Sequence, residues 1–392
     1  MPFVRLDSVK ESIYWTFRSW KEGYRLPTTE KAWTPAYDPD QLMDDANNTE
    51  RLWMFLADFF ASRGYFLYQR TPNSFKTFPT TKEAEGEDQY PFGRRFYFDS
   101  RIDACFDTIF GVRNWAARDR LGREVIIRMA SASDSSPSEL EIFRRLNSPH
   151  ARADPRNHTL PVLDFIVYDG LTFVVLPRWG LPLAEWHFGT VEQVLHFVKS
   201  MFEGIAFLHE NRIAHRDILE QNMVANTVVN SLNCSWIDVN KLYEVAVVRY
   251  GFIDFGASAI FPLDTDIESE KVLIPRFMAA GVAYIGLQDG ISNPFKDDIL
   301  SLANILERLS RHIEGLVPEI GPFFDFILRE NRANPPPASL ILERLRQIQA
   351  GLTAQQLEQA PPGLFWRKGV IVRKHSHRNF DQIPATDEDV VQ

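Results

Sequence analysis

The sequence predicts an α+β chain, on three observations. Between about 101 and 178 it carries runs rich in β-branched and aromatic residues, "EVIIRM", "PVLDFIVYD" and "LTFVVLP", which read as strands. From about 190 the period changes. Val191, Val194, Leu195, Val198, Met201, Phe202, Ile205 and Leu208 recur at steps of three and four, one face of a long helix. A length of 392 residues, with 45% hydrophobic and 24% charged residues, is enough to bury a large core.

Taken in order, residues 1–100 read as an N-terminal extension. Pro27, Pro35, Pro39, Pro72, Pro79 and Pro91 punctuate it, and "TTKEAEGED" at 80–88 is a solvated loop. Its most apolar stretch, Leu52 to Leu67, places Leu52, Trp53, Phe55, Leu56, Phe59 and Phe60 on one face of an amphipathic helix. Asp58, Arg63 and Gly64 interrupt it, so it is too short and too polar to span a bilayer. Packing against a neighbouring part of the protein is the favoured role, with membrane-surface binding the alternative. Residues 351–392 read as a charged C-terminal tail.

Bulk composition excludes several classes. A net charge of −9 gives no reason to expect a nucleic-acid partner. Only Cys105 and Cys234 occur, so a disulfide framework is not expected, and no Cys/His spacing suits zinc. No basic segment followed by an apolar run opens the chain, so a cytoplasmic or nucleocytoplasmic location is expected.

The chemistry is carried by His215-Arg216-Asp217, by Asn222 five residues after the aspartate, and by Asp254-Phe255-Gly256. Either tripeptide alone is weak. The two in this order are strong, with helix-like "FLHENRIAHRD" before the first and strand-like "VVRYGFIDFG" around the second. On these residues the segment from about 103 to 350 resembles the eukaryotic protein kinase superfamily. The form is divergent, similar to kinase-like proteins abundant in mushroom-forming fungi.

The resemblance implies a two-lobed fold over 101–350. A small antiparallel β-sheet lobe with one main helix (about 101–178) would precede a larger, mostly helical lobe (about 179–350). It also implies ATP and Mg2+ as cofactors. Asp217 would orient a substrate hydroxyl and accept its proton, while Asn222 and Asp254 would hold metal. The lysine that grips the α- and β-phosphates is replaced by Arg128, and its glutamate partner would be Glu139 rather than Glu141, by its spacing to Ile142, Phe143 and Leu146. No lysine occurs from 83 to 198, so Arg128 serves or nothing does. An ungapped alignment makes Gly111 the third glycine of the phosphate loop, with Phe106 and Thr108 in place of the first two. Arg113 stands at a usual valine position, unless Val112 belongs there. Val112, Ile126 and Leu176 would line the nucleotide site, and residues 176–179 would face adenine through their backbone.

Other departures weaken the phosphate side. Leu219 replaces a lysine that neutralises γ-phosphate charge. Asn222 and Asp254 are 254 − 222 = 32 residues apart, so about Thr227 to Val245 should be a surface excursion. Thr265 and Ser269 lie in a segment where a phosphate could pair with Arg216. The resulting reading is a protein serine/threonine kinase-type phosphotransferase with reduced activity. The alternative is a pseudokinase acting as a binding or regulatory module, and a small-molecule kinase comes third. Partners would be a protein substrate or a regulatory protein. On the sequence alone, Arg128→Lys should raise activity or leave it unchanged.

Overall fold

In the computed structural model, which describes residues 6–34, 40–86, 89–95, 105–108, 112–134, 138–180, 188–228, 242–244, 246–273, 290–363, 365–367 and 369–372, four helices come first. They are α1 (Leu6–Glu22), α2 (Glu30–Trp33), α3 (Leu42–Phe55) and α4 (Ala57–Ser62). The apolar stretch over 52–67 is therefore not one helix. It breaks at Leu56, and α4 stops before Gly64, whose φ of +92° few side chains tolerate. Its six apolar residues are nonetheless all buried.

Nine strands follow or interleave: β1 (Tyr65–Leu67), β2 (Gln69–Arg70), β3 (Lys76–Phe78), β4 (Arg94–Arg95), β5 (Phe106–Asp107), β6 (Asn114–Asp119), β7 (Glu124–Ser131), β8 (Asp164–Tyr168) and β9 (Leu171–Pro177). Five of them form an antiparallel sheet ordered β1-β6-β7-β9-β8. The sheet's outermost strand next to β6 thus comes from Tyr65–Leu67, inside the segment read as an extension. The ungapped alignment had put that strand just before Gly111. There, Phe106–Asp107 instead pairs with Lys76–Phe78 in a separate three-stranded sheet.

Alternation on β7 decides what lies on each face of the sheet. Val125, Ile127 and Met129 join Trp33, Trp53, Phe60, Trp115 and Phe173 in one buried cluster roofed by α2, α3 and α4. Trp53 stacks on Trp115 at 5.9 Å and meets Trp33 edge-on at 5.5 Å. Each indole N–H is satisfied, Trp33 by Pro27 O, Trp53 by Val112 O and Trp115 by Tyr68 O. Burying such rings stabilises by roughly 1.5–3 kcal/mol each, and the paired N–H groups avoid the penalty of dry, unbonded donors. The opposite face presents Ile126, Arg128 and Ala130, with α5 (Ser138–Leu146) and α6 (Pro149–Ala153) between β7 and β8.

The second part is mainly helical. Thr190 caps α7 (Val191–Glu210) by accepting from Gln193 N, and all eight residues of its periodic apolar face are at 0% exposure. Around it lie β10 (Ile213–Ala214), β11 (Met223–Ala225), β12 (Thr227–Val228), β13 (Tyr250–Phe252), β14 (Ala259–Ile260) and α8 (Pro294–Ser310), followed by helices Ile320–Asp325 and Ala338–Ala350. Of the expected surface excursion, 229–241 and 245 lie outside the described residues; of the rest, Thr227, Val228 and Leu242 are each under 3% exposed, while Glu244 is exposed. β12 forms a parallel pair with β4, and Trp179 Nε1 donates to Pro91 O at 2.8 Å. Within the region read as a tail, Phe365–Arg367 and Val370–Val372 form a hairpin, and Arg311 lies over the Trp366 ring. Among the described residues, no helix is long and apolar enough to cross a membrane.

Candidate functional site

The site is built from two loops hung between short strands. β10 pairs with β14, and β11 with β13, so the segments 215–222 and 253–258 run side by side. Asp298, 1% exposed on α8, accepts from the backbone N–H groups of His215 and Arg216, both at 2.7 Å. The His215 ring, fully buried, reaches Ile253 O at 3.0 Å. Arg216 is held at φ +65°, a strained value that these bonds stabilise.

Asp217 and Asn222 meet directly. Asn222 Nδ2 donates to Asp217 Oδ2 and to Asp217 O, both at 2.9 Å. Ile253 N donates to Asn222 O at 3.0 Å, which brings Asp254 alongside. Asp254 adopts φ +64°, and its Oδ1 accepts from Gly256 N at 3.3 Å and Arg128 Nη2 at 2.8 Å. Burial pushes the Asp217 carboxyl above its ordinary range; Asp254 adds to the shift while His215 and Asn222 oppose it. Arg128 holds the Asp254 carboxyl below the usual range against the opposing effect of burial.

Arg128 projects from β7 into the same space. Its Nε donates to Glu139 Oε1 at 2.5 Å and its Nη1 to Asn114 Oδ1 at 3.1 Å. Burial alone would lower its pKa, but Glu139 and Asp254 reverse this and raise it. Glu139 is buried on the inner side of α5, whereas the Glu141 side chain is 55% exposed and pairs with Arg145. Ile126 and Leu176 are register partners on the Arg128 face.

Val112 is not brought to this face. It packs against the Trp53 cluster on the other side of the sheet. Gly111 lies outside the described residues. Phe106 and Thr108 sit in or beside β5, with Thr108 bonded to Phe75 O at 2.9 Å. Leu219 is half-buried, and its neighbour Glu220 pairs with Arg308.

Two participants were missed. Asn114 bonds Arg128, and Arg113 Nη2 donates to Glu139 Oε2 at 2.8 Å. The only signal for Arg113 was a charge where an apolar residue was expected.

The donor set suits a hard divalent cation. Asn222 turns its Nδ2 to Asp217, which leaves Oδ1 as its acceptor, and Asp254 spends Oδ1 on Arg128 and Gly256, which leaves Oδ2. Among the described residues no group of three or more His, Cys, Asp or Glu is placed to hold a metal ion, so any metal here would rest on Asn222, Asp254 and a bound ligand.

No family model matches the chain. Three curated proteins match parts of it. Over 96 residues it is 48% identical to the serine/threonine-protein kinase CAK1 of Saccharomyces cerevisiae, covering 24% of each protein. Over 108 residues it is 27% identical to the serine/threonine-protein kinase US3 homolog of Cercopithecine herpesvirus 9, covering 26% of this chain and 29% of that protein. Over 121 residues it is 25% identical to "Probable serine/threonine-protein kinase irlD" of Dictyostelium discoideum, covering 30% and 8%. The chain spans less than a third of the length of each of these relatives. Part of it is thus similar to serine/threonine protein kinases, on a mixed α+β frame whose largest described sheet is the five-stranded antiparallel one.

Proposed function

We propose that the chain binds ATP with Mg2+ and transfers the γ-phosphoryl group to a serine or threonine hydroxyl of a protein, at a reduced rate. The observation that carries this reading is the convergence of Asp217, Asn222 and Asp254 on adjoining loops. The proposed arrangement is a two-lobed one over 101–350, with the cleft between sheet and helices. Residues 1–100 serve as an extension that shields and completes the sheet, and 351–392 as a tail. A cytoplasmic or nucleocytoplasmic setting accords with the two cysteines.

In this mechanism Asn222 Oδ1 and Asp254 Oδ2 would hold the metal, which would supply charge neutralisation on the phosphates. Asp217, fixed by Asn222 and with its carboxyl shifted upward by burial, accepts a proton from the attacking hydroxyl. Arg128, paired with Glu139 and now also held by Asn114 and Asp254, is the cation that would turn to meet the phosphates. Leu219 supplies no charge there, which accounts for a slow rate.

The pseudokinase reading draws on one specific observation: Arg128 Nη2 already occupies Asp254 Oδ1. Titrating the protein with Mg-ATP while following the melting temperature, beside transfer of γ-phosphate to a generic protein substrate, separates the two. Tight binding raises the melting temperature by mass action, and transfer lost in Asp217→Ala establishes the enzyme. A melting temperature unmoved by Mg-ATP, with no transfer, rules it out.

A further inference from the structure

Glu139 is held by two guanidinium groups. Arg128 Nε takes Oε1 at 2.5 Å and Arg113 Nη2 takes Oε2 at 2.8 Å. The carboxylate is 7% exposed and the Arg113 side chain 13%. Arg113 is itself anchored, because its Nε donates to Met129 O at 2.9 Å, on the strand that carries Arg128. Its Nη1 also lies 3.7 Å from Glu30 Oε1 on α2, a half-exposed and weaker partner.

Arg128 is fully committed in this arrangement, with Nε on Glu139, Nη1 on Asn114 and Nη2 on Asp254. To meet a phosphate it must shift. Were it the sole cation on Glu139, any shift would strip a buried carboxylate of its partner, which is strongly unfavourable. Arg113 removes that obstacle, since Oε2 stays paired wherever Arg128 moves.

Building on the nucleotide-binding reading above, we propose that Arg113 is the positioning residue of this site. It keeps Glu139, and with it the first turn of α5, turned toward the sheet, and so releases Arg128 to engage the phosphates of a nucleotide. The pairing also offsets charge, because Arg113 and Arg128 together balance Glu139 and Asp254.

The test uses the full chain with Arg113→Met, Arg113→Lys and, as a control, Glu30→Gln. Amide hydrogen exchange over 138–146 is read without nucleotide, and affinities for Mg-ATP and for adenosine are read by titration. Arg113→Met should speed exchange in α5 and weaken Mg-ATP about tenfold while leaving adenosine within about twofold, since only phosphates need Arg128. Arg113→Lys should recover part of both effects, since one ammonium can keep the Glu139 pair but not the Met129 O bond as well, and Glu30→Gln should change neither.

Unchanged exchange in Arg113→Met overturns the proposal. So does equal weakening of adenosine and Mg-ATP, or an Arg113→Lys no better than Arg113→Met. If Arg113→Met does not fold, Arg113→Gln takes its place under the same criteria. If the wild type binds no Mg-ATP, the functional reading falls, and the exchange comparison alone still decides whether Arg113 fixes α5.

Discussion

Arg128 Nη2 lies 2.8 Å from Asp254 Oδ1, across a sequence separation of 126 residues. The contact joins the sheet to the loop that would hold metal. It also gives Arg128 its third distinct partner, after Glu139 and Asn114. A single ammonium cannot span three directions as a planar fork does. Against the expectation from sequence, the three contacts argue that Arg128→Lys should lose about 1.5–3 kcal/mol of stability, the range for hydrogen bonds to charged groups, and bind Mg-ATP more weakly. Denaturant unfolding and nucleotide titration check this, and tighter binding by the lysine variant would refute it. Gly256→Ala probes the same contact from the other side, because its Cβ would come 2.9 Å from Arg128 Nη2; a smaller loss of the same sign is expected.

Glu124 should be a stability keystone at the start of β7, the central strand of the sheet. Its side chain is 1% exposed; it accepts from Arg118 Nε at 2.7 Å and from the Tyr68 hydroxyl, and Arg178 Nη1 approaches at 3.7 Å. Burial and the adjacent Glu124 charge push the Tyr68 phenol well above its ordinary pKa, so it remains a donor at any ordinary pH. Glu124→Gln removes the charge that two buried guanidinium groups face, at a cost of about 3–5 kcal/mol. A measured loss below about 1 kcal/mol in urea unfolding would show that the network is not acting as a unit.

Gly93 is fixed by close approach. A Cβ there would come 2.5 Å from Arg178 O and 3.2 Å from the Thr227 backbone. Both obstacles are main chain and cannot swing aside, so Gly93→Ala should cost about 1–3 kcal/mol. Gly315→Ala, with nothing within 4 Å of its Cβ, is the matched control and should change stability little. Equal melting temperatures for the two variants would contradict this account.

Much of this arrangement was legible in the sequence, for reasons that particular residues make clear. β7 and β9 announce themselves by continuous apolar runs, and α7 by its eight-residue periodic face. The match of its apolar spacing to the pattern of the resembled family selected Glu139 over Glu141, and Glu139 is the one turned inward. β1 was illegible because three residues that follow a helix after a gap of two, Tyr65–Leu67, carry no period of their own. The pairing of β4 with β12 could not be read because polar Arg94–Arg95 has no strand signature, and its partner lies far along the chain. The grip of Arg113 on Glu139 depends on three-dimensional approach rather than spacing.

Asp297 supplies a pH test. Burial, with the adjacent Asp298 charge adding to it, raises its carboxyl to about 6, although Ser292 donates to it. A folded-state pKa above the unfolded one means that stability is fully present below about pH 4 and is lost as pH rises through about 6. Asp297→Asn should thus stabilise the protein by about 1 kcal/mol at pH 8, after allowing for partial exposure and for the favourable first-turn position of the carboxylate. At pH 4 the variant and the wild type should match. Melting curves at the two pH values decide, and a gain at pH 4 rather than at pH 8 would sink the assignment.

The parallel pair of Arg94–Arg95 with Thr227–Val228 also has a temporal side. Thr227 Oγ1 donates to Arg94 O across 133 residues of chain. On a ribosome adding about 5–20 residues per second, the earlier strand waits some seconds before its mate exists, with its backbone donors and acceptors unmatched. Charge is one of the features that blunt an idle sheet edge, and the two arginines that hide this strand from sequence inspection put charge on it.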